Sequence, residues 1–176
     1  MAALALAGCG IQEAKEGLDK QEDLLAKVAI EDLLSRYYQG FGTGDAAAFN
    51  EFYTEDAVFD VNGIVAEGKE EIEGIYAGLD EDSTSPTNIG TFHMVISNLV
   101  VDVDGDTATA KMLWTGVQNA DLRGPPTVVE QGREYDLLVK QDGEWRIRKR
   151  VVIADSGLPE RYMATYEPRL DYDIAE

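Results

Sequence analysis

The segment from residue 30 to residue 60 constrains the fold more than any other part of the chain. Apolar side chains recur there at steps of three and four residues, the spacing of one helix face: Ile30, Leu33, Leu34, Tyr37 and Phe41. Three glycines between residues 40 and 44 interrupt this pattern, and Asp45 is suited to cap a second helix over residues 46–53. The segment from Thr54 to Asp60 has the composition of a strand. We therefore expect two helices that bend over a core, followed by the first strand.

Turn sequences divide the remainder of the chain into strands. Asn62-Gly63 predicts a hairpin after the first strand, and a short helix is expected over residues 69–77. Asp-Gly turns then separate two pairs of longer strands, residues 91–102 with 107–119 and residues 130–140 with 144–153. This order predicts an α+β domain whose helices lie on one face of a curved antiparallel sheet.

The charge of the chain excludes one class of partner. Thirty-four acidic and fifteen basic residues give 176 residues a net charge of -19. Such a charge repels phosphate backbones, so we expect no nucleic-acid binding. A single Cys excludes an internal disulfide, and one His with one Cys is too few for a typical zinc site, so no metal is expected.

The first nine residues suggest a targeting signal. Leu6-Ala7-Gly8-Cys9 resembles a bacterial lipobox, in which the Cys would carry the lipid. Only eight residues precede Cys9 and none is basic, so the alternative is an incidental Ala/Leu-rich start. We expect residues 1–9 to be a truncated lipoprotein signal, 10–27 a charged spacer helix, 28–155 the folded domain and 156–176 an irregular tail. Lipidation would tether the protein to the cell envelope on the periplasmic side; otherwise the chain would be cytoplasmic.

Six short motifs in a fixed order resemble the nuclear transport factor 2-like superfamily, and within it the SnoaL-like polyketide cyclases, scytalone dehydratase and bile-acid dehydratase. They are Ile30-x-x-Leu-x-x-x-Tyr37, Gly44-Asp45, Phe52-Tyr-Thr-Glu-Asp-Ala-Val-Phe59, His93 with Asn98, Val103-Asp-Gly-Asp-Thr-Ala108 and Asp142-Gly-x-Trp145-Arg-Ile147. The resemblance implies a cone-shaped barrel, in which three helices cover one face of a strongly curved antiparallel sheet and enclose a pocket.

The resemblance also implies a catalytic set. Enzymes of this kind use an Asp/His pair, often with a Tyr, to move a proton next to a carbonyl or hydroxyl group in a dry pocket. Tyr37 matches the Tyr of the first helix in the dehydratases. The Asp that is common five residues later is replaced here by Gly42, which puts an unmodified dyad in doubt.

His93 is the candidate general base, because its ordinary pKa lies nearest neutrality. It stands five residues before Asn98, whereas the catalytic His of relatives often stands four before. In a regular strand these two spacings point to opposite faces. Either a bulge turns His93 into the pocket, or Met94 takes that direction.

The remaining pocket candidates come from the predicted strands and the end of the first helix. Asp136 is a candidate catalytic group, with pairing to Arg148 or Arg150 as the alternative. Tyr135 and Asp136 point to opposite faces of their strand, so at most one of them lines the pocket. The candidate substrate-binding residues are Tyr38, Phe41, Met94, Met112, Trp114 and Tyr135, of which Trp114 is more typical of a core residue.

Two functional hypotheses remain open. The first is a lyase or isomerase without a cofactor, which acts on a small hydrophobic hydroxy or keto compound through His93 and Tyr37. The second is a non-catalytic ligand-binding or assembly domain, tethered to the envelope through Cys9. In either case, a homodimer formed through the sheet is expected.

Overall fold

The computed structural model describes residues 4–41, 45–81, 90–158, 160, 163–164, 166 and 172–174. The helical elements are α1 (Leu4–Gln39), a 3₁₀ helix (Ala46–Phe52) and α2 (Gly68–Glu81). The strands are β1 (Tyr53–Val61), β2 (Ile64–Glu67), β3 (Thr91–Asp104), β4 (Thr107–Asn119), β5 (Thr127–Gln141) and β6 (Glu144–Ser156). The predicted α+β class is confirmed.

The six strands form one sheet in the order β2-β1-β6-β5-β4-β3. The β1–β6 pair is parallel and the other pairs are antiparallel. Register shifts place an extra residue in β3 after Ser97, in β5 between Val128 and Glu130, and in β6 between Ile147 and Lys149. Such shifts bend strands, and the curved sheet stays open between its edges, β2 and β3.

Tight turns set the strand register where the sequence predicts them. Asn62 and Gly63 have φ angles of 54° and 88°, and Asp142 and Gly143 have φ angles of 53° and 86°. Two successive positive φ angles are the mark of a type I′ turn, whose twist suits a two-residue hairpin. Asn62 also accepts a hydrogen bond from the Ala154 N–H at 2.8 Å, which ties this turn to β6.

Helix α1 is continuous through the predicted boundary at residue 27. Its second half buries the expected apolar stripe, including Ile30, Leu34 and Tyr37, whereas Leu18 and Leu25 in the first half are exposed. Asp45 caps the 3₁₀ helix, because its side chain accepts from the Ala48 N–H at 3.3 Å. No helix among the described residues is long and apolar enough to cross a membrane.

The main core lies between the helices and the concave face of the sheet. Trp145 and Ile147 of β6 are buried in it, beneath α1 and the 3₁₀ helix. A smaller cluster covers the outer face, where Tyr135, Val151 and Ile153 pack against Ile174 of the C-terminal tail. The concave face therefore carries the interior in which a site can form.

Candidate functional site

A fully buried ion pair lies on the concave face of β5 and β6. Arg150 Nε donates to Asp136 Oδ1 at 2.7 Å, and Arg150 Nη2 donates to Asp136 Oδ2 at 3.1 Å. The two residues face each other in the strand register, and neither side chain is exposed. This two-point geometry is that of a charge-assisted guanidinium–carboxylate pair. The alternative in which Asp136 pairs with a neighbouring arginine is thus the observed one.

A second carboxyl, Glu134, lies beside this pair. Its Oε1 is 3.0 Å from Arg150 Nη2 but makes no well-aligned hydrogen bond, and its Oε2 accepts the Tyr38 hydroxyl. Burial raises the pKa of Glu134 to about 8; the Arg150 charge opposes this shift and Asp136 adds to it. One cation thus faces two carboxyls, and Asp136 holds it with both oxygens, so burial favours the protonated form of Glu134.

Three tyrosine hydroxyls meet next to this cluster. Tyr53 Oη lies 3.3 Å from Tyr37 Oη and 3.0 Å from Tyr76 Oη, and Tyr37 also contacts Tyr76. The Arg150 guanidinium carbon lies 3.9 Å from the centre of the Tyr37 ring, close enough for a cation–π contact. Burial raises the pKa of all three hydroxyls, so they remain protonated donors.

A cleft of about 580 Å³ opens between the end of α1 and the start of β3. Its walls combine aromatic and apolar side chains with polar ones, and Tyr38 belongs to them. Because the Tyr38 hydroxyl also contacts Glu134, this side chain connects the cleft with the buried carboxyl. The lining residues are Ser35, Tyr38, Gln39, Phe41, Gly90, Thr91, Phe92, His93, Met94 and Ile96.

A family model of the SnoaL-like domain matches residues 22–151, which is most of the chain. The protein belongs to this SnoaL-like family. No curated protein gives a significant match to its sequence.

Solved structures share the fold of this SnoaL-like domain. A protein of unknown function from Mycobacterium tuberculosis is 26% identical, with a TM-score of 0.64 over 78% of this chain and 75% of that chain. A nuclear transport factor 2-like protein with a cystatin-like fold from Novosphingobium aromaticivorans is 22% identical, with a TM-score of 0.62 over 89% and 96%. A candidate scytalone dehydratase from the same organism is 18% identical, with a TM-score of 0.62 over 87% and 95%. The last two likenesses concern the fold alone.

The SnoaL-like domain does not place His93 as the sequence suggested. Phe92 is buried and Met94 packs against the core, whereas His93 between them is exposed. A bulge does occur in β3, at Asn98 with φ of 54°, but it lies beyond both residues and leaves their directions unchanged. His93 is therefore at the outer rim of the cleft, which does not suit a base inside the cone.

The other predicted site residues divide between the two faces of the sheet. Tyr135 lies on the outer face against Tyr172, so it does not line the interior, and its substrate contact stays a prediction. Met112 is buried in the main core. Trp114 is buried over Gly132, and its Nε1 donates to the Arg133 carbonyl at 3.3 Å.

The positions of four predicted residues agree with a pocket on the concave face. Tyr37 is buried there, while Tyr38, Phe41 and Met94 line the cleft. Their functional roles stay predictions. Gly42 lies outside the described residues; Cys9 belongs to α1, but its side chain is not described, so lipidation also stays a prediction.

Sequence reasoning missed Glu134, Tyr53 and Tyr76. A signal for Glu134 was present, because Glu130, Glu134 and Asp136 share one face of β5, the face opposite Tyr135. Acidic residues repeated on the inward face of a strand need a buried partner, and Arg150 on the next strand supplies it. Within the described part of the chain, no group of three or more His, Cys, Asp or Glu is arranged to hold a metal ion.

Proposed function

We propose that the domain binds a small hydrophobic hydroxy or keto compound in the cleft and acts on it as a lyase or isomerase without a cofactor. The observation that carries this proposal is the contact between Tyr38, which lines the cleft, and the buried Glu134. The cleft offers aromatic rings to the ligand, mainly those of Phe41 and Phe92, whose centres are 6.3 Å apart.

The pair of Tyr38 and Glu134 would act as a hydrogen-bond donor to an oxygen of the ligand. When Glu134 is protonated, its O–H can donate to the Tyr38 oxygen, and the Tyr38 O–H is then free to donate to an oxygen of the ligand. Donors aimed at an oxygen on which negative charge develops stabilise enolates and leaving hydroxyl groups. Arg150 and Asp136 form an ion pair nearby, so these two residues add no net charge beside the Tyr38–Glu134 pair.

A non-catalytic ligand carrier is the alternative. The same aromatic cleft would hold a hydrophobic ligand, and Tyr38 would only hydrogen-bond to it. A reaction that depends on the Glu134 proton distinguishes the two functions.

The test uses 2-tetralone, a small aromatic ketone, as a probe. Exchange of its protons next to the carbonyl with D₂O is followed by ¹H NMR, and the buffer rate is subtracted at each pH. We expect the wild-type protein to accelerate this exchange, with an acceleration that falls above about pH 8 as Glu134 loses its proton.

Glu134→Gln is the informative variant, because glutamine keeps the shape and a hydrogen bond to Tyr38 but cannot release a proton. We expect a rate about tenfold lower, since one hydrogen bond is weakened, and no fall near pH 8. Wild-type exchange no faster than in buffer, with 2-tetralone bound, would support the carrier function instead.

A further inference from the structure

Glu130 of β5 occupies a space that two glycines leave open. Gly116 of β4 faces Glu130 directly across the strand pair. A Cβ atom added to Gly116 would lie 2.4 Å from Glu130 Cγ and 2.8 Å from Glu130 Oε1. A Cβ atom on Gly157, whose φ is 76°, would lie 2.6 Å from Glu130 Cα. The carboxyl group therefore leans across β4 over Gly116, which no other residue type permits in this arrangement.

This direction points the Glu130 carboxyl toward Phe92 in the cleft wall, although Glu130 itself does not line the cleft. The Phe92 ring also reaches over Gly116, since its Cζ would lie 2.8 Å from the same added Cβ. Met94 is the partner of Gly116 on the other side, in β3. Phe92 and Met94 both line the cleft. Because neighbouring strands are about 4.8 Å apart, the carboxyl lies about one strand spacing from the cleft wall.

The surroundings of Glu130 differ from those of the other two inward carboxyls of β5. Asp136 and Glu134 both contact Arg150, whereas Glu130 has no hydrogen-bond or ion-pair partner among the described residues. Burial alone raises the pKa of Glu130 to about 7. A partly buried carboxyl that titrates near neutral pH can exist in both protonation states under working conditions, which suits a group that takes up and returns a proton.

We propose that Glu130 is the base of the site and removes the proton from the carbon next to the carbonyl group of the bound ligand. This assignment rests on the proposed function. The C–H bond breaks, its proton forms an O–H bond on the Glu130 carboxylate, and the electron pair moves to the ligand oxygen as an enolate. Tyr38 donates to that oxygen. Once Glu130 has exchanged this proton with solvent, its return to the same carbon completes an exchange. In an unsaturated ligand, delivery of the proton to a different carbon of the dienolate completes an isomerisation. A hydroxyl on the neighbouring carbon that takes the proton from Glu130 and leaves as water completes a dehydration.

The same exchange reaction with 2-tetralone tests Glu130. We expect the wild-type acceleration to rise with pH around a midpoint near 7, as the carboxylate forms. Glu130→Gln is expected to lose this midpoint and about a hundredfold in rate, a usual value for a general base. Its affinity for 2-naphthol, an unreactive fluorescent probe of the cleft, should stay within about threefold, because the aromatic walls remain. Glu51→Gln, a change of an exposed carboxyl, is the matched control and should match the wild type.

A second variant tests the geometry without removing the carboxyl. Gly116→Ala places a methyl group where the Glu130 side chain lies, so the carboxyl must move and the rate should fall by about tenfold or more. Gly74→Ala on α2, where an added Cβ meets nothing within 4 Å, is its control. If Glu130→Gln and Gly116→Ala both exchange 2-tetralone protons at the wild-type rate, the assignment of Glu130 is overturned, but the proposed function is not. A wild-type protein that binds neither probe overturns the proposed function, and the assignment with it.

Discussion

Replacing Tyr38 with phenylalanine is expected to slow the exchange of 2-tetralone protons by about 10²–10³, while the fold stays intact. The hydroxyl is the group that connects the cleft with Glu134, and loss of one donor to a developing oxyanion has an effect of this size. The ring is retained, so the walls of the cleft do not change. Initial rates by ¹H NMR at pH 7, with affinity for 2-naphthol measured in parallel, check the result.

Tyr53→Phe is the matched control for this change. Tyr53 is also buried, and this change also removes a hydrogen-bonded hydroxyl, but the partners of Tyr53 are Tyr37 and Tyr76 rather than Glu134. Its exchange rate should stay within about threefold of the wild type, although its stability falls by about 1 kcal/mol. Equal losses of rate in the two variants would mean that Tyr38 acts through the packing of the interior and not on the ligand.

Arg150→Met is expected to lower the free energy of unfolding by about 3–5 kcal/mol. Arg150 is fully buried and is the cation that faces both Asp136 and Glu134. Its removal leaves the buried Asp136 carboxyl without its cation, and the contact with the Tyr37 ring is lost as well. Urea denaturation followed by circular dichroism at pH 7 measures the change.

Arg148→Met is the control that shows whether the stability loss is specific to Arg150 or follows from removal of any arginine on β6. Arg148 is half-exposed, and its nearest ion-pair distance, to Asp56, is 3.8 Å, so we expect a loss below about 1 kcal/mol. In a double variant, Arg150→Met with Asp136→Leu, apolar contacts replace the ion pair and most of the stability should return. Equal stabilities of the two single variants would contradict the structural role given to Arg150.

Much of the fold could be predicted because the signals are local. The stripe from Ile30 to Tyr37 and the turns at Asn62 and Asp142 need only side-chain spacing and backbone preference, and all of them are confirmed. The continuity of α1 was missed because the change from exposed to buried surface near residue 28 depends on tertiary packing. The parallel pairing of β1 with β6 joins distant segments, and no local pattern indicates it.

The site was harder to predict, because it depends on strand direction and buried charge. The placement of Asp136 on the face opposite Tyr135 follows from alternation alone. The direction of His93 depends on where the β3 bulge occurs. The bulge lies at Asn98, beyond His93 along the strand, so it does not turn the histidine inward. The role suggested for Glu134 requires the knowledge that Asp136 already holds Arg150, which only the three-dimensional arrangement supplies. Lipidation of Cys9 and a dimer through the sheet stay predictions.

In the proposed function, the interior holds Glu134 as a protonated acid, and Tyr38 connects it to the cleft. The most direct test is a ¹³C NMR titration of the side-chain carboxyl of Glu134, assigned by its absence in Glu134→Gln. We expect a midpoint near pH 8, well above the usual value for glutamate. A midpoint near 4.5 would show that Glu134 is ionised at neutral pH and would contradict the account.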